Sequence, residues 1–162
     1  MPIKWTGDLK RFKALTLTER AKPKFFKEVK EFIKDEIVGS IERGVSPVHK
    51  GGEDGSSGKL RYKDYSDSYK RQIDKKQLET SKKRRPVNLK LTGKLLNSLK
   101  ARISGDAVKV WFTDAKAKYH NELGAGKSKI IRRLLPKTGE QFNAGIRKRI
   151  VKALKDAIRL SI

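Results

Sequence analysis

Apolar residues recur at three- and four-residue steps toward both ends of this chain and alternate with polar ones in between. Phe26, Val29, Ile33, Ile37 and Ile41 fall on one face of a helix, with Pro23 in its first turn and Gly44 as its stop. That spacing predicts an amphipathic helix over residues 23–43. Near the other end, Phe142, Ile146, Ile150, Leu154 and Ile158 repeat the pattern behind Thr138-Gly-Glu-Gln141, a capping box. A second long helix is predicted near 140–160, its other face carrying Arg147, Lys148, Arg149, Lys152, Lys155 and Arg159. Between the two, residues 100–112 read as a β-hairpin, two alternating runs joined around Ser104-Gly105-Asp106. Val108, Val110 and Phe112 share one of its faces. Trp111 must then lie on the other, either covered by a helix or offered to a neighbour.

Shorter signals fill in the rest. Tyr62, Tyr65 and Tyr69 stand at helical spacing in a segment running to about Leu78, where they suit core packing or a surface on which bases stack. Thr92 can cap a short helix that turns Leu95, Leu96 and Leu99 inward. Asp114 can open another through Tyr119 and Leu123, ended by Gly124 in a left-handed conformation. Residues 1–20 read as a detachable arm, with Ile3 to Trp5 as a short strand and Thr16 and Glu19 in a further capping box. Residues 45–60 hold four glycines, a proline and no periodicity, which predicts a flexible loop. The elements add up to one α+β domain over 1–162, a small antiparallel sheet packed against long amphipathic helices.

Composition changes this picture in one respect. Hydrophobic residues make up 36% of the chain and charged residues an equal 36%, so the core is modest and partners are expected to contribute to stability. The formal net charge is +23, and residues 87–162 carry 18 basic side chains against 5 acidic ones. Such a field attracts polyanions: nucleic acid, an acidic protein surface or an anionic membrane. No stretch is apolar enough for a signal peptide or a membrane span, which predicts cytosol-like conditions and no membrane partner. The chain has no cysteine, which excludes disulfides, thiol nucleophiles and thiolate metal sites.

Candidate chemistry is sparse. Gly124-Ala-Gly-Lys-Ser128 resembles the end of a phosphate-binding loop, but that loop needs a further glycine where Asn121 stands, a strand leading directly in and a helix leading out. A glycine-rich turn that binds no nucleotide is the expectation. His120 and Glu122 lack the spacing that sets two metal ligands on one helical face, so no metal is expected and His120 reads as an ordinary, partly exposed histidine. His49 lies in the loop. No carboxylate pair sits in an apolar context that would tune it for proton transfer, and no serine has a nucleophile-elbow pattern. Neither catalysis nor a cofactor is expected. The run Lys82, Lys83, Arg84, Arg85 before Pro86 is a solvated connector or a polyanion contact, and Arg147, Lys148 and Arg149 are further polyanion contact candidates.

The order of the pieces is more informative than any one of them. Leu91-Thr-Gly93, Leu95 or Leu96, Ser98 and Leu99 precede a hairpin; Tyr119, His120 and Gly124 follow it; then come Arg132, Arg133, Leu134, Leu135 and Pro136 before the last helix. In that succession, residues 25–160 resemble the tailed-phage neck and tail-completion proteins, the phage virion morphogenesis group. Two departures bear on the subfamily: Ile130-Ile131 stands where a proline often precedes the arginine, and the turn before Gly124 is one residue longer than the pattern. The resemblance implies an α+β fold and a non-enzymatic, homo-oligomeric ring in the virion neck, assembled in the host cytoplasm. Such a ring joins the portal or its adaptor to the tail tube or tail terminator and can touch DNA nonspecifically. It makes Trp5, Trp111, Tyr119, His120, Arg132 and Arg133 interface candidates. The alternative from another class is a free, basic nucleic-acid-binding protein.

Overall fold

The structure is a computed structural model that describes residues 19–49, 60–75, 87, 89, 93–126 and 129–159. Helix α1 (Ala21–Glu42) forms where the apolar period predicts it and buries Phe25, Phe26, Val29, Phe32, Ile33, Ile37 and Ile41. Pro23 is harmless there, because the first-turn N–H groups have no partner inside a helix. Gly44 ends the helix at φ 74°. Its N–H reaches the Ile41 carbonyl at 2.9 Å and the Val45 N–H reaches Ser40 at 3.0 Å, the paired bonds of a Schellman stop.

Strands β1 (Leu99–Ile103) and β2 (Val108–Phe112) form the predicted antiparallel hairpin, in the register Leu99 opposite Phe112 and Ile103 opposite Val108. The Ser104 N–H bonds the Ala107 carbonyl at 2.8 Å across a turn in which Gly105 takes φ 56°. Leu99, Val108, Val110 and Phe112 are buried against α1. Lys22, in the first turn of α1, lies 3.8 Å from Asp106 at the hairpin tip.

Helix α5 (Ala144–Arg159) packs along α1, burying Ile146, Ala153, Leu154 and Ala157. Arg149 crosses to α1, where it meets Glu36 and lies over the Phe32 ring at 4.7 Å. The buried side chains of helices and hairpin form one cluster, and the fold is α+β with a small hairpin packed against helices. Among the described residues no helix is long and apolar enough to cross a membrane.

Several boundaries differ from the sequence expectation, each for a local reason. The tyrosine segment is helical only in α2 (Asp67–Lys75), because Ser66 accepts the Tyr69 N–H as its cap at 3.4 Å. Tyr62 and Tyr65 precede that helix and are buried in the core, which leaves no tyrosine stripe for stacking bases. The last helix opens at Ala144, after the predicted capping box, because Asn143 accepts the Ile146 N–H at 3.1 Å. Phe142 therefore lies outside the helix and bridges to Val48. Short helix α3 (Lys94–Asn97) has Gly93, at φ 77°, as its first cap residue, while Thr92 lies outside the described residues. Of the expected loop 45–60, Ser46, Pro47 and Val48 are buried structure, and residues 50–59 lie outside the described residues. The arm 1–18, Trp5 and Lys82 to Arg85 lie outside them as well.

The hairpin is a test of the core. Leu99→Ala, at 0% exposure, is expected to destabilise the chain by about 2–5 kcal/mol. Lys100→Ala, its exposed neighbour, should stay within about 0.5 kcal/mol. Urea unfolding of both variants checks the difference.

Candidate functional site

Two of the segments that carry the resemblance, Tyr119–Gly124 and Arg132–Pro136, meet at one irregular stretch, residues 132–136. Helix α4 (Lys116–Lys118) is opened by the Asp114 carboxylate, which accepts the Lys116 N–H at 2.9 Å. It runs directly into a π-helical turn, Tyr119–Leu123. The wider turn carries Asn121 inward to complete burial, with Tyr119 and Leu123 left 55% and 51% exposed. The Asn121 side-chain oxygen then accepts two backbone N–H groups, from Leu134 at 2.7 Å and from Leu135 at 3.0 Å. The Arg132 N–H bonds the His120 carbonyl at 2.7 Å.

The far side of the same stretch is held from other parts of the chain. The Arg133 carbonyl accepts the Tyr62 hydroxyl at 2.8 Å and the Ser46 hydroxyl at 2.9 Å, which fills both of its lone pairs. Ser46 also accepts the Val48 N–H at 3.1 Å, and its own carbonyl accepts the Asn143 amide at 2.9 Å. Asn143 thus caps α5 and anchors the 46–48 segment together. Glu140 closes the circuit: one carboxylate oxygen takes Arg133 at 2.9 Å and the other the Lys137 N–H at 2.8 Å.

The two arginines of the motif face inward. Arg132 is 4% exposed and donates to the Lys63 carbonyl at 3.1 Å and the Asp64 carbonyl at 3.5 Å. Its guanidinium lies 5.5 Å from the centre of the Tyr65 ring and, among the described residues, makes no ion pair. Burial pushes its pKa down, and the neighbouring tyrosines oppose the shift. Arg133 is divided between Glu140 and the Asn121 carbonyl, 3.1 Å away. Both are interface candidates by resemblance, and in the folded chain their functional groups bind its own backbone and carboxylate. Arg149, a polyanion contact candidate, is exposed and pairs with Glu36 across the α1–α5 seam.

The glycine-rich turn has the shape of a clasp. Gly124 takes φ 81° and ψ 142°, a positive-φ region open to glycine but outside the left-handed helical basin expected of it. A Cβ there would sit 2.1 Å from the Lys129 carbonyl oxygen. Ala125 and Ile130 bridge in both directions, at 2.9 and 3.2 Å, and the Lys129 N–H reaches Gly126 at 3.1 Å. The N–H of Ala125 therefore points at protein and not toward a phosphate, and no helix follows the turn before α5. Lys127 and Ser128 lie outside the described residues. Among the described residues no group of three or more histidines or carboxylates could hold a metal.

Of the other candidates, Trp111 is half-buried on the outer face of the hairpin, with Arg102 over its ring at 5.5 Å. His120 is half-buried in the π turn. Lys148 is exposed and Arg147 is half-buried beside Gln141. Asn121, Ser46 and Asn143 were not singled out from the sequence. Nothing local sets these small polar side chains apart, and their partners lie as far as 97 residues away. Compared with protein-family models, curated proteins and solved structures, the chain matches none.

Two predictions follow from this geometry. Asn121→Ala strands two buried N–H groups and is expected to cost about 2–5 kcal/mol. Gly124→Val should cost more than the about 1–2 kcal/mol of positive-φ strain alone, because of the Lys129 clash. Gly126→Ala, with open space around it, should cost only that strain. Chemical denaturation of the three variants gives the ranking.

A third prediction concerns pH. Burial pushes the Tyr65 hydroxyl up to about 12 and raises that of Tyr62 as well, each opposed by the charge of Arg132. Above about pH 10 the unfolded chain loses tyrosine protons that the folded chain keeps, so stability falls with rising pH. It should be unaffected by these groups below about pH 10; the share of Tyr65 is lost between there and about pH 12, and that of Tyr62 continues beyond. Tyr65→Phe should flatten the decline in a series of melting temperatures.

Proposed function

We propose that this protein is a non-enzymatic ring subunit of a tailed-phage neck, joining the portal or its adaptor to the tail. The observation that carries the reading is the interlocking of the family-like segments. Tyr119–Gly124 and Arg132–Pro136 are bonded to each other through Asn121 and His120. The segment ending in Ser98 is tied to the chain leaving the hairpin: Ser98 accepts the Thr113 and Asp114 N–H groups at 3.0 and 3.2 Å. The turn and the arginine-bearing stretch are thus held together, with Tyr119 and Leu123 left exposed.

That surface suits assembly. Tyr119 and Leu123 project one turn apart from a turn whose backbone is anchored by buried bonds, so they are presented without a large ordering cost. Trp111, with Arg102 across it, offers a second aromatic edge. A closed ring needs two different faces on each subunit, one toward each neighbour, and these two patches provide separate candidates. Homo-oligomer, portal or adaptor, and tail tube or tail terminator are the partners this reading assigns.

The test is genetic. Phage made without the protein should yield DNA-filled heads and separate tails, or heads that leak DNA, when lysates are viewed by electron microscopy. Normal joining of heads to tails in the deletion would refute the reading. A rescue series then locates the contact: Tyr119→Ser with Leu123→Ser should fold normally and fail to restore joining, since both side chains lie outside the core.

A further inference from the structure

Charge is not spread evenly over the two long helices. Along α1 five lysines alternate with five carboxylates, which cancel. Along α5 six cations face the single carboxylate of Asp156. Arg149 is engaged at the α1 seam, which leaves Arg147, Lys148, Lys152, Lys155 and Arg159 on the outer face. With Ala144, Val151 and the one carboxylate, Asp156, these side chains line a shallow open groove of about 570 Å³.

The spacing makes that face a stripe. Lys148, Lys152, Lys155 and Arg159 follow one another at steps of four, three and four, so their side chains stand above one another along the axis. At about 1.5 Å rise per residue the stripe runs roughly 16 Å. Like charges at such steps repel and weaken an isolated helix. Asp156, four residues after Lys152 and three before Arg159, offsets part of that repulsion, but no ion pair joins Lys148, Lys152, Lys155 or Arg159 to another described residue. An external polyanion meeting this face would relieve the repulsion that remains.

We infer that the outer face of α5 is a contact surface for the phosphate backbone of nucleic acid. A protein partner would need an apolar or aromatic centre to its interface, and this face offers only half-buried Val151 and the methyl of Ala144. A phosphate backbone needs the opposite, several cations on flexible stems at intervals along a line. The roughly 16 Å stripe spans about five phosphates of one strand at about 3.4 Å each. Contacts of this kind position the duplex and carry no sequence preference. The inference concerns a surface separate from Trp111, Tyr119 and Leu123 and does not depend on the ring reading.

The experiment uses the full chain and a labelled duplex of arbitrary sequence, with affinity read by fluorescence anisotropy over roughly 50–200 mM salt. Lys148→Gln, Lys152→Gln and Lys155→Gln are combined, a change that keeps helix propensity. The control removes the same charge from the exposed side of α1 as Lys24→Gln, Lys27→Gln and Lys30→Gln. Circular dichroism confirms that both variants fold. The α5 variant should lose at least about tenfold in affinity and have a salt slope shallower by about 2.7, while the control keeps most of both. Equal losses in the two variants would mean a diffuse field and would overturn the inference, as would no duplex binding by the unaltered chain. Poly-L-glutamate, which presents the carboxylates of an acidic protein, is titrated in parallel. If the α5 change weakens it as much as the duplex, the face is a protein contact and the inference falls.

Discussion

The fold depends on how the backbone of Arg133 to Leu135 is satisfied. That stretch crosses the interior without belonging to a helix or strand, and buried peptide groups with no partner cost about 1–3 kcal/mol each. Asn121 takes the two N–H groups, and Ser46 and Tyr62 take the Arg133 carbonyl. Those three side chains come from the π turn, the segment after α1 and the segment before α2. The same bonds that satisfy the stretch therefore fix three loops against one another. Ser46 and Asn143 extend the lock to the start of α5.

This arrangement explains how a chain with an equal share of charged and apolar residues holds irregular segments in place. The regular core, α1 with the hairpin and α5, rests on apolar burial. The irregular half uses buried hydrogen bonds of short polar side chains, which specify one geometry where apolar contact alone would permit several. Arg132 belongs to this half. Among the described residues its buried charge is met by carbonyls and an aromatic ring, so a slide of the stretch would strand a guanidinium.

What the sequence made legible follows the same division. Local periodicity is written within a few residues, so α1, the hairpin and the core face of α5 could be read directly from Ile33, Val110 and Leu154. The hydrogen bonds are not local. Nothing at Asn121 announces Leu134, and nothing at Ser46 announces Arg133. Three-residue spacing at Tyr62 and Tyr65 imitates a helix that Ser66 starts later. Gly124 signalled positive φ, but the Lys129 carbonyl that forbids a side chain there belongs to the other arm of the clasp. Arg132 and Arg133 are interface candidates by resemblance alone, and the burial of Arg132 is decided by the carbonyls of Lys63 and Asp64, far away in the chain.

Stability and recognition are thereby assigned to different residues. The buried polar lock holds the turn bearing Tyr119 and Leu123, and both side chains are left exposed. The most direct test of the neck reading is a mass measurement: sedimentation of the purified protein alone and after mixing with tailless, DNA-filled heads. A neck subunit should bind such heads at one fixed number of copies greater than one per head, and that stoichiometry should saturate. A protein that remains monomeric alone and fails to sediment with the heads would contradict it.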